Sequence, residues 1–431
     1  AKSMNSGNIS ASNTAIGYYS MGGADQTGTY NVAAGAYAGK KIASAGNIAI
    51  GYYTMGNTNG VTGAYNVAVG HESVYTLTSG ASNVGIGKWA LKASTTADSN
   101  TAVGPQSLMA NTTGSSNVAV GVNALLANTT GQKNVAIGAD ALDANTTGVY
   151  VVGIGWRALT SNTTGINNTA IGSRQVMNSN TTGGNNTALG TQALYKNTTA
   201  SNNVALGYRT LWSNTTASDN VAVGADALYA NTTGNANTAV GALALDANTT
   251  GVELTAVGKS ALSASTGSYN TAMGSGAMTT TTSGTHNSAF GRIALSLNTT
   301  GANNVAVGSR ALYANTTASN NTAVGYQALT ANTTGASNTA MGHESLKANT
   351  TGGSNVAVGL ASLVYNTTGV NNTGVGTLAL INNTTASNNT ALGYNTLYAN
   401  TTATRNTAVG YQSGDANTTG SHNTPLGDRA G

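Results

Sequence analysis

The chain has 431 residues, of which 6% are charged and 5% aromatic, with 57 glycines, two prolines, one phenylalanine and no cysteine. Ordinary globular domains carry about 25% charged residues, and collagen needs glycine at every third position. Disorder does not fit a 40% hydrophobic fraction with a net charge of +4. What remains is one short unit written many times.

A five-residue core, N-T/V-A-V-G, recurs 25 times, from Asn13–Gly17 to Asn423–Gly427. Its closing glycines fall at 17, 35, 51 and 70, then evenly at 87, 104, 121, 138, 155 and 172. They continue at 190, 207, 224, 241, 258 and 274, then evenly again from 291 through 308, 325, 342, 359, 376, 393 and 410 to 427. Residues 1–87 thus read as irregular N-terminal coils, and 88–431 as one continuous domain of regular 17-residue repeats. A sustained fixed period marks a solenoid or array.

Seventeen residues hold two short strands and two turns. Numbering the consensus NTAVGYQALYANTTGSN from 1 to 17, positions 2 and 4 share one face of a first strand by alternation. Position 4 is Val, Ile, Leu or Met almost throughout, and position 3 is nearly always Ala. A second strand carries Leu at position 9 with Ala at 8 and 11. Gly at position 5 and Asn-Thr-Thr-Gly at 12–15 are turn chemistry, because Gly takes positive φ and Asn tolerates it. The spacing predicts an all-β fold: a parallel β-solenoid of about 25 coils. Coils stacked about 4.8 Å apart would make a rod roughly 115 Å long.

Positions 4 and 9 supply two sizeable apolar side chains per coil, a small core for so many ordered residues. Burial between chains is the expected remedy. Ala and Gly at position 3, read as the outward face, would let another backbone approach closely. The expectation is a homo-oligomer, a homotrimer wound about one axis.

The cores NTAIG, NVAIG and NTAVG, followed by an Ala-Leu strand, resemble the head repeats of trimeric autotransporter adhesins, the YadA-like haemagglutinin repeats. The resemblance covers Asn13 to Gly427 and implies a left-handed parallel β-roll in which three chains share one core. It departs from that family in a longer turn, through the NTTG loop, and in the absence of a heptad stalk and a membrane-anchoring segment. Repeats of the form NTAVGYQAL-ANTTG are also similar to those of bacteriophage tail fibres. An extended, exposed, adhesive or spacer role is what the resemblance implies.

Candidate catalytic chemistry is sparse. His71 and His343 lie in a repeated Gly-His-Glu-Ser, Gly70–Ser73 and Gly342–Ser345, which lacks the second histidine of a zinc-protease helix. His286 and His422 stand alone. Asp140 and Asp143 share a coil but sit at positions 7 and 10, facing different directions, and the regular aspartate of calcium-binding β-rolls is missing. No glycine-rich loop is followed by the Lys-Ser/Thr of a phosphate-binding loop. Arg157, Arg174, Arg209, Arg292 and Arg310 are spread out and form no basic stripe, so nucleic acid has no electrostatic footprint. The expectation is no enzyme, no catalytic or cofactor-binding residue, no cofactor and no metal.

Asn-Thr-Thr occurs 17 times, at Asn111, Asn128, Asn145, Asn162, Asn180, Asn197, Asn214, Asn231, Asn248, Asn298, Asn315, Asn332, Asn349, Asn366, Asn383, Asn400 and Asn417. Three readings compete for these triplets. They are turns whose side chains stack as hydrogen-bonded ladders between coils, N-glycosylation acceptors, or a threonine array for ice. Adjacent threonines in a turn point different ways, which counts against ice. Tyrosine clusters at position 6, as Tyr18, Tyr52, Tyr208, Tyr326, Tyr394 and Tyr411, and at position 10, as Tyr195, Tyr229, Tyr313 and Tyr398 beside Trp212. Exposed at position 6, the rings either stack on sugars of a surface glycan or pack on neighbouring coils.

The chain begins Ala1-Lys2-Ser3 without an initiator methionine or a signal sequence, as expected of a processed product or a segment. Solenoid ends need polar caps, so either further domains cover them or the rods join end to end as a polymer. A spanning helix needs an apolar run of roughly 18 residues. Nothing in the sequence approaches that length, so no membrane insertion is expected. The leading expectation is a structural, non-enzymatic fibre, an adhesin shaft or head on a cell surface or virion, extracellular in either case. Its alternatives are a self-assembling extracellular filament and an ice- or glycan-binding solenoid.

Overall fold

A computed structural model describes residues 12–23 and 26–431 of the chain. The chain falls into two compact units, Ala1–Ser218 and Asp219–Gly431. Each is a parallel β-solenoid. The first unit carries twelve strands, from β1 (Thr14–Ile16) to β12 (Val204–Leu206), and the second twelve more, from β13 (Val221–Val223) to β24 (Thr407–Val409). Among the described residues there is no helix. The last core copy, Asn423–Gly427, supplies an isolated parallel bridge from Leu426 to Val409 in place of a strand.

Within each unit, every strand pairs in parallel with the next in the chain, and like positions face like positions. Val118 opposes Val135, Ala119 opposes Ala136, and Val120 opposes Ile137. The two irregular spacings beyond Gly87 leave this register intact because they fall at corners. In the coil closed by Gly172 the extra residue forms a bulge between Ile171 and Arg174, and Thr169 still opposes Thr187. In the coil closed by Gly258 the missing residue is one threonine of the loop, which reads Ser265-Thr266-Gly267, and Thr255 still opposes Thr271.

Two expectations about the coil are corrected. Positions 8–11 do not form a second strand. Position 7 and position 9 both take positive φ, as in Asp140 (φ 55) and Leu142 (φ 53), so the segment is a pair of turns. Ala141 N–H closes the first onto Gly138 O at 3.3 Å, and Asn145 N–H closes the second onto Leu142 O at 3.1 Å. Non-glycine residues seldom adopt this region, and here bonds between coils hold them in it. Asp140 N–H reaches Val122 O in the preceding coil at 2.9 Å, and Leu142 N–H reaches Ala158 O in the following one at 2.9 Å. The backbone ladder therefore runs around the coil beyond the strand.

The faces of the strand are also the reverse of those expected. Ala at position 3 points inward and is fully buried, as in Ala119 and Ala136, while Val120 and Ile137 at position 4 are 36% and 40% exposed. The reason is width. Where Gly153 replaces the alanine, a Cβ would lie 3.1 Å from Leu142 Cγ, and at Gly85 it would lie 2.5 Å from Val74 Cγ2. The side chain at position 9 of the preceding coil fills the interior, so nothing larger than a methyl fits opposite it. The apolar core of a regular coil is one leucine and two alanines.

The coils before Gly87 fill the same space differently. Position 12 is Ile42 and Leu77 in two of them, both fully buried. Gly39 stands where Leu belongs at position 9, and a Cβ there would lie 2.8 Å from Ile42 Cδ1. Ile42 has taken the missing leucine's place. From Asn111 onward position 12 becomes asparagine, with Ser265 and Thr281 the departures.

Candidate functional site

Two columns of asparagine run inside the coils. At position 1, Asn117 N–H donates to Asn100 Oδ1 at 2.9 Å, and Asn117 Nδ2 donates to Gly131 O, also at 2.9 Å. At position 12, Asn128 Nδ2 donates to Asn111 Oδ1 at 2.8 Å and to Gly131 O at 3.0 Å. These are stacked amides of the kind that rigidify cross-β assemblies, placed in the core of a solenoid. The asparagines of all the Asn-Thr-Thr triplets except Asn417 are fully buried. Asn417 is half-buried and donates to Gly420 O at 2.8 Å. An Nδ2 with both hydrogens committed inside a coil is closed to an incoming sugar in the folded chain.

The two threonines that follow diverge. Thr129 at position 13 is half-buried, and its Oγ1 donates to Thr146 O at 3.1 Å, whereas Thr130 at position 14 is exposed. The NTTG face thus presents one exposed threonine column.

The outer face of the strands is half-exposed within each unit. Position 2 (Thr or Val) and position 4 (Val, Ile, Leu or Met) make two in-register columns in each unit. In the second unit, Met273, Phe290 and Met341 are 42%, 38% and 44% exposed. The single phenylalanine of the chain lies on this face.

The position-6 tyrosines are exposed, and they are not brought together into one site. Tyr394 and Tyr411 stack on each other at 5.3 Å with ring planes 11° apart. Tyr326 stacks on His343 at 5.3 Å, and Tyr208 lies 4.8 Å from the Arg209 guanidinium. At position 10, Tyr195 and Trp212 stack at 5.5 Å. In the stacked pairs, each ring covers one face of the other.

The two Gly-His-Glu-Ser coils share one ring contact. Each histidine meets the tyrosine one coil earlier, Tyr52 to His71 at 5.2 Å and Tyr326 to His343 at 5.3 Å. Each glutamate pairs with a lysine, but not the same one: Glu72 meets Lys92 of the following coil at 2.6 Å, and Glu344 meets Lys347 of its own coil at 2.7 Å. The Lys92 hydrogen bond holds the Glu72 carboxyl below its usual range. A shallow groove lies beside each pair, about 440 Å³ along Trp89, Lys92 and Met109 and about 490 Å³ along Lys347, Val364 and Tyr365.

One cluster is not anticipated from the sequence. Tyr19, Tyr37 and Tyr53, all at position 7 of successive coils, form an inner stack with centroids 5.8 and 4.6 Å apart and planes within 13°. Tyr18 and Tyr52 stand edge-on to it, at 86° and 85° to Tyr37. Tyr75 continues the contact from Tyr53 at 6.2 Å. Burial, then the neighbouring Tyr18, raises the Tyr37 hydroxyl above its usual range. The signal for this cluster is the Tyr-Tyr pair at positions 6 and 7 in coils two apart.

Among the described residues no group of three or more His, Asp or Glu side chains could hold a metal ion. His71 and Glu72 are 3.9 Å apart, and His422 meets Arg405 at 3.3 Å. Asp143 is an acid displaced by its surroundings. Burial, then the Asp140 charge, pushes its carboxyl up, and its Oδ1 has no hydrogen-bond partner. No helix among the described residues is long and apolar enough to cross a membrane. No protein-family model matches the chain, and no curated protein matches its sequence.

Proposed function

We propose that this chain is a structural, non-enzymatic component of an extracellular fibre, an adhesin shaft or head on a cell surface or virion, built as a homotrimer. One observation carries the reading: the outer sheet face of each unit carries an in-register column of half-exposed to exposed aliphatic side chains at position 4, flanked by half-buried Thr or Val at position 2, while its own core holds one leucine and two alanines per coil. Contiguous apolar surface of that kind marks a contact with another chain. Covering what remains exposed of one such side chain is worth roughly 1 kcal/mol at about 25 cal/mol per Å², and the gain recurs at every coil. A second copy of this chain is the fitting occupant, because only an identical period keeps the columns facing each other along their length. The interface is thus the Val/Ile face, in place of the Ala/Gly face expected from the sequence.

Sedimentation velocity of the purified chain tests the proposal. A trimer supports it, and a stable monomer at high concentration rejects it. Replacing Val120 and Ile137 together by asparagine is expected to weaken association while circular dichroism stays unchanged, since both side chains lie outside the core.

A further inference from the structure

We infer that Asn59–Gly60 is a self-modifying site, at which the folded chain loses ammonia from the Asn59 side chain and acquires aspartate or isoaspartate. The inference is independent of the oligomer proposed above. Three observations support it. First, Asn59–Gly60 is the one Asn-Gly in the chain, and there is no Asp-Gly. It lies in the longest coil, where the closing glycines Gly51 and Gly70 are 19 residues apart. A regular coil turns its position-12 asparagine inward, whereas the extra residues here carry Thr58 and Asn59 out onto an exposed turn.

Second, the reacting groups are uncommitted. The Asn59 backbone N–H donates to Asn57 Oδ1 at 2.9 Å. Among the described residues, neither the Asn59 side-chain amide nor the Gly60 N–H has a hydrogen-bond partner. Gly60 is buried, but what lies over it is the flexible Lys41 side chain, 3.5 Å from where a Cβ would stand. Its φ of 95 is open to glycine and strained for other residues. Asn128 is the opposite case, fully buried with both amide hydrogens donated.

Third, the chain is anchored on both sides of the turn. Asn57 Nδ2 donates to Thr76 O at 3.0 Å and to Leu77 O at 2.9 Å. Val61 is fully buried, bridges Ile42 in parallel, and its N–H donates to Lys41 O at 2.8 Å. Between these anchors, Thr58, Asn59 and Gly60 make no hydrogen bond to a neighbouring coil among the described residues. Chemistry confined to the turn therefore leaves the stack in place.

The Gly60 nitrogen attacks Asn59 Cγ and forms the N–C bond of a cyclic imide. The Cγ–Nδ2 bond breaks, and ammonia leaves with the proton given up by the Gly60 nitrogen. Water then opens the ring, at Cγ to give aspartate or at the backbone carbonyl to give isoaspartate, which lengthens the main chain by one atom. Either product adds a negative charge beside Lys41.

The test is incubation of the full chain in mildly alkaline buffer, followed by peptide mass spectrometry with electron-transfer fragmentation, which separates aspartate from isoaspartate. Conversion at Asn59 should run at least roughly tenfold faster than at Asn128, whose reaction awaits local opening of a coil. Gly60→Ala should slow it by roughly five- to tenfold, because a Cβ restricts the approach of the nitrogen. Asn59→Gln should remove it. Hydroxylamine, which cleaves the imide, should cut the folded chain after Asn59 and spare Asn59→Gln. Circular dichroism and the urea midpoint should be the same before and after conversion. An Asn59 that stays intact, conversion at Asn128 just as fast, or a hydroxylamine cut that appears only in denaturant would each overturn the site. Loss of the circular dichroism signal on conversion would overturn its confinement to the turn.

Discussion

Asn145 Nδ2 donates to Asn128 Oδ1 at 2.9 Å, joining two fully buried side chains one coil apart in sequence. The bond makes each coil the template for its neighbour. It also ties the interior together with amides where a globular protein would use hydrocarbon, and the consequences can be measured.

Asn128→Ala removes two donated bonds and one accepted bond. Gly131 O keeps its bond from Asn117 Nδ2, but Asn111 Oδ1 and an Asn145 N–H lose their partners. Each orphaned buried group costs about 1–3 kcal/mol. Amide hydrogen exchange should report a loss of several kcal/mol in local protection, concentrated in the coils on either side. Exchange spread evenly along the chain would contradict a nearest-neighbour ladder.

The position-1 column lacks a rung at two places. Val151 and Leu254 accept nothing through their side chains, although their own N–H groups bond Asn134 Oδ1 at 2.9 Å and Asn237 Oδ1 at 3.0 Å. Val151→Asn restores an acceptor for Asn168 N–H. A gain of about 1 kcal/mol is expected, read as a raised urea midpoint; a loss would mean that this site has been reshaped around valine.

Gly138 has φ 131, and a Cβ on it would lie 2.5 Å from Gly155 O. Gly138→Ala combines backbone strain of about 1–3 kcal/mol with a clash against main chain that cannot move away. Gly60, at φ 95, would place its Cβ 3.5 Å from the flexible Lys41 side chain, so Gly60→Ala should cost the strain alone. Thermal unfolding of the two variants separates the contributions, and equal losses would show that the coil-to-coil contact is soft.

Produced in a glycosylating host, folded chain should carry little or no sugar at Asn128 and its buried equivalents, with Asn417 the site most compatible with modification. Glycopeptide mass spectrometry gives the occupancies. High occupancy at Asn128 in protein with a native circular dichroism spectrum would mean that the coil tolerates losing its inner amide.

Asp143 has a folded-state pKa above its unfolded value. Stability from such a group is fully present below the unfolded pKa, near 4, and is lost as pH rises through the folded one. Asp143→Asn should therefore stabilise the chain near neutrality relative to wild type, with the difference shrinking as the pH falls toward 4. Because the side chain is only half-buried, the effect is modest. Paired unfolding curves across this range would check it, and a difference that grew on acidification would be the wrong sign.

The period, the parallel stacking and the turn at Gly are legible because each depends on residues that recur in register. The direction of the strand is not. Alternation says that positions 2 and 4 share a face and position 3 takes the other; it does not say which face is inside. Hydrophobicity favours Val and Ile for the interior, but Leu142 and its equivalents fill a space so narrow that only a methyl fits opposite. The turn at positions 7–9 is hidden for a related reason. Leu in the left-handed region goes against local preference, and only the bonds from neighbouring coils keep it there. The aromatic cluster escapes a sequence reading because Tyr37 lies in a coil whose position 6 is Ala36, which breaks the column when one position is followed at a time.

The register-matched rungs make the number of coils a free variable. A duplication or deletion of one whole repeat places Asn on Asn, Gly on Gly and Leu under Ala, as before, and creates no kind of neighbour that the chain does not already have. Gain or loss of one whole repeat within a unit can therefore lengthen or shorten it without compensating substitutions. The length of each unit is thus adjustable in steps of one coil, while the tyrosine-rich coils near the start keep their own local chemistry.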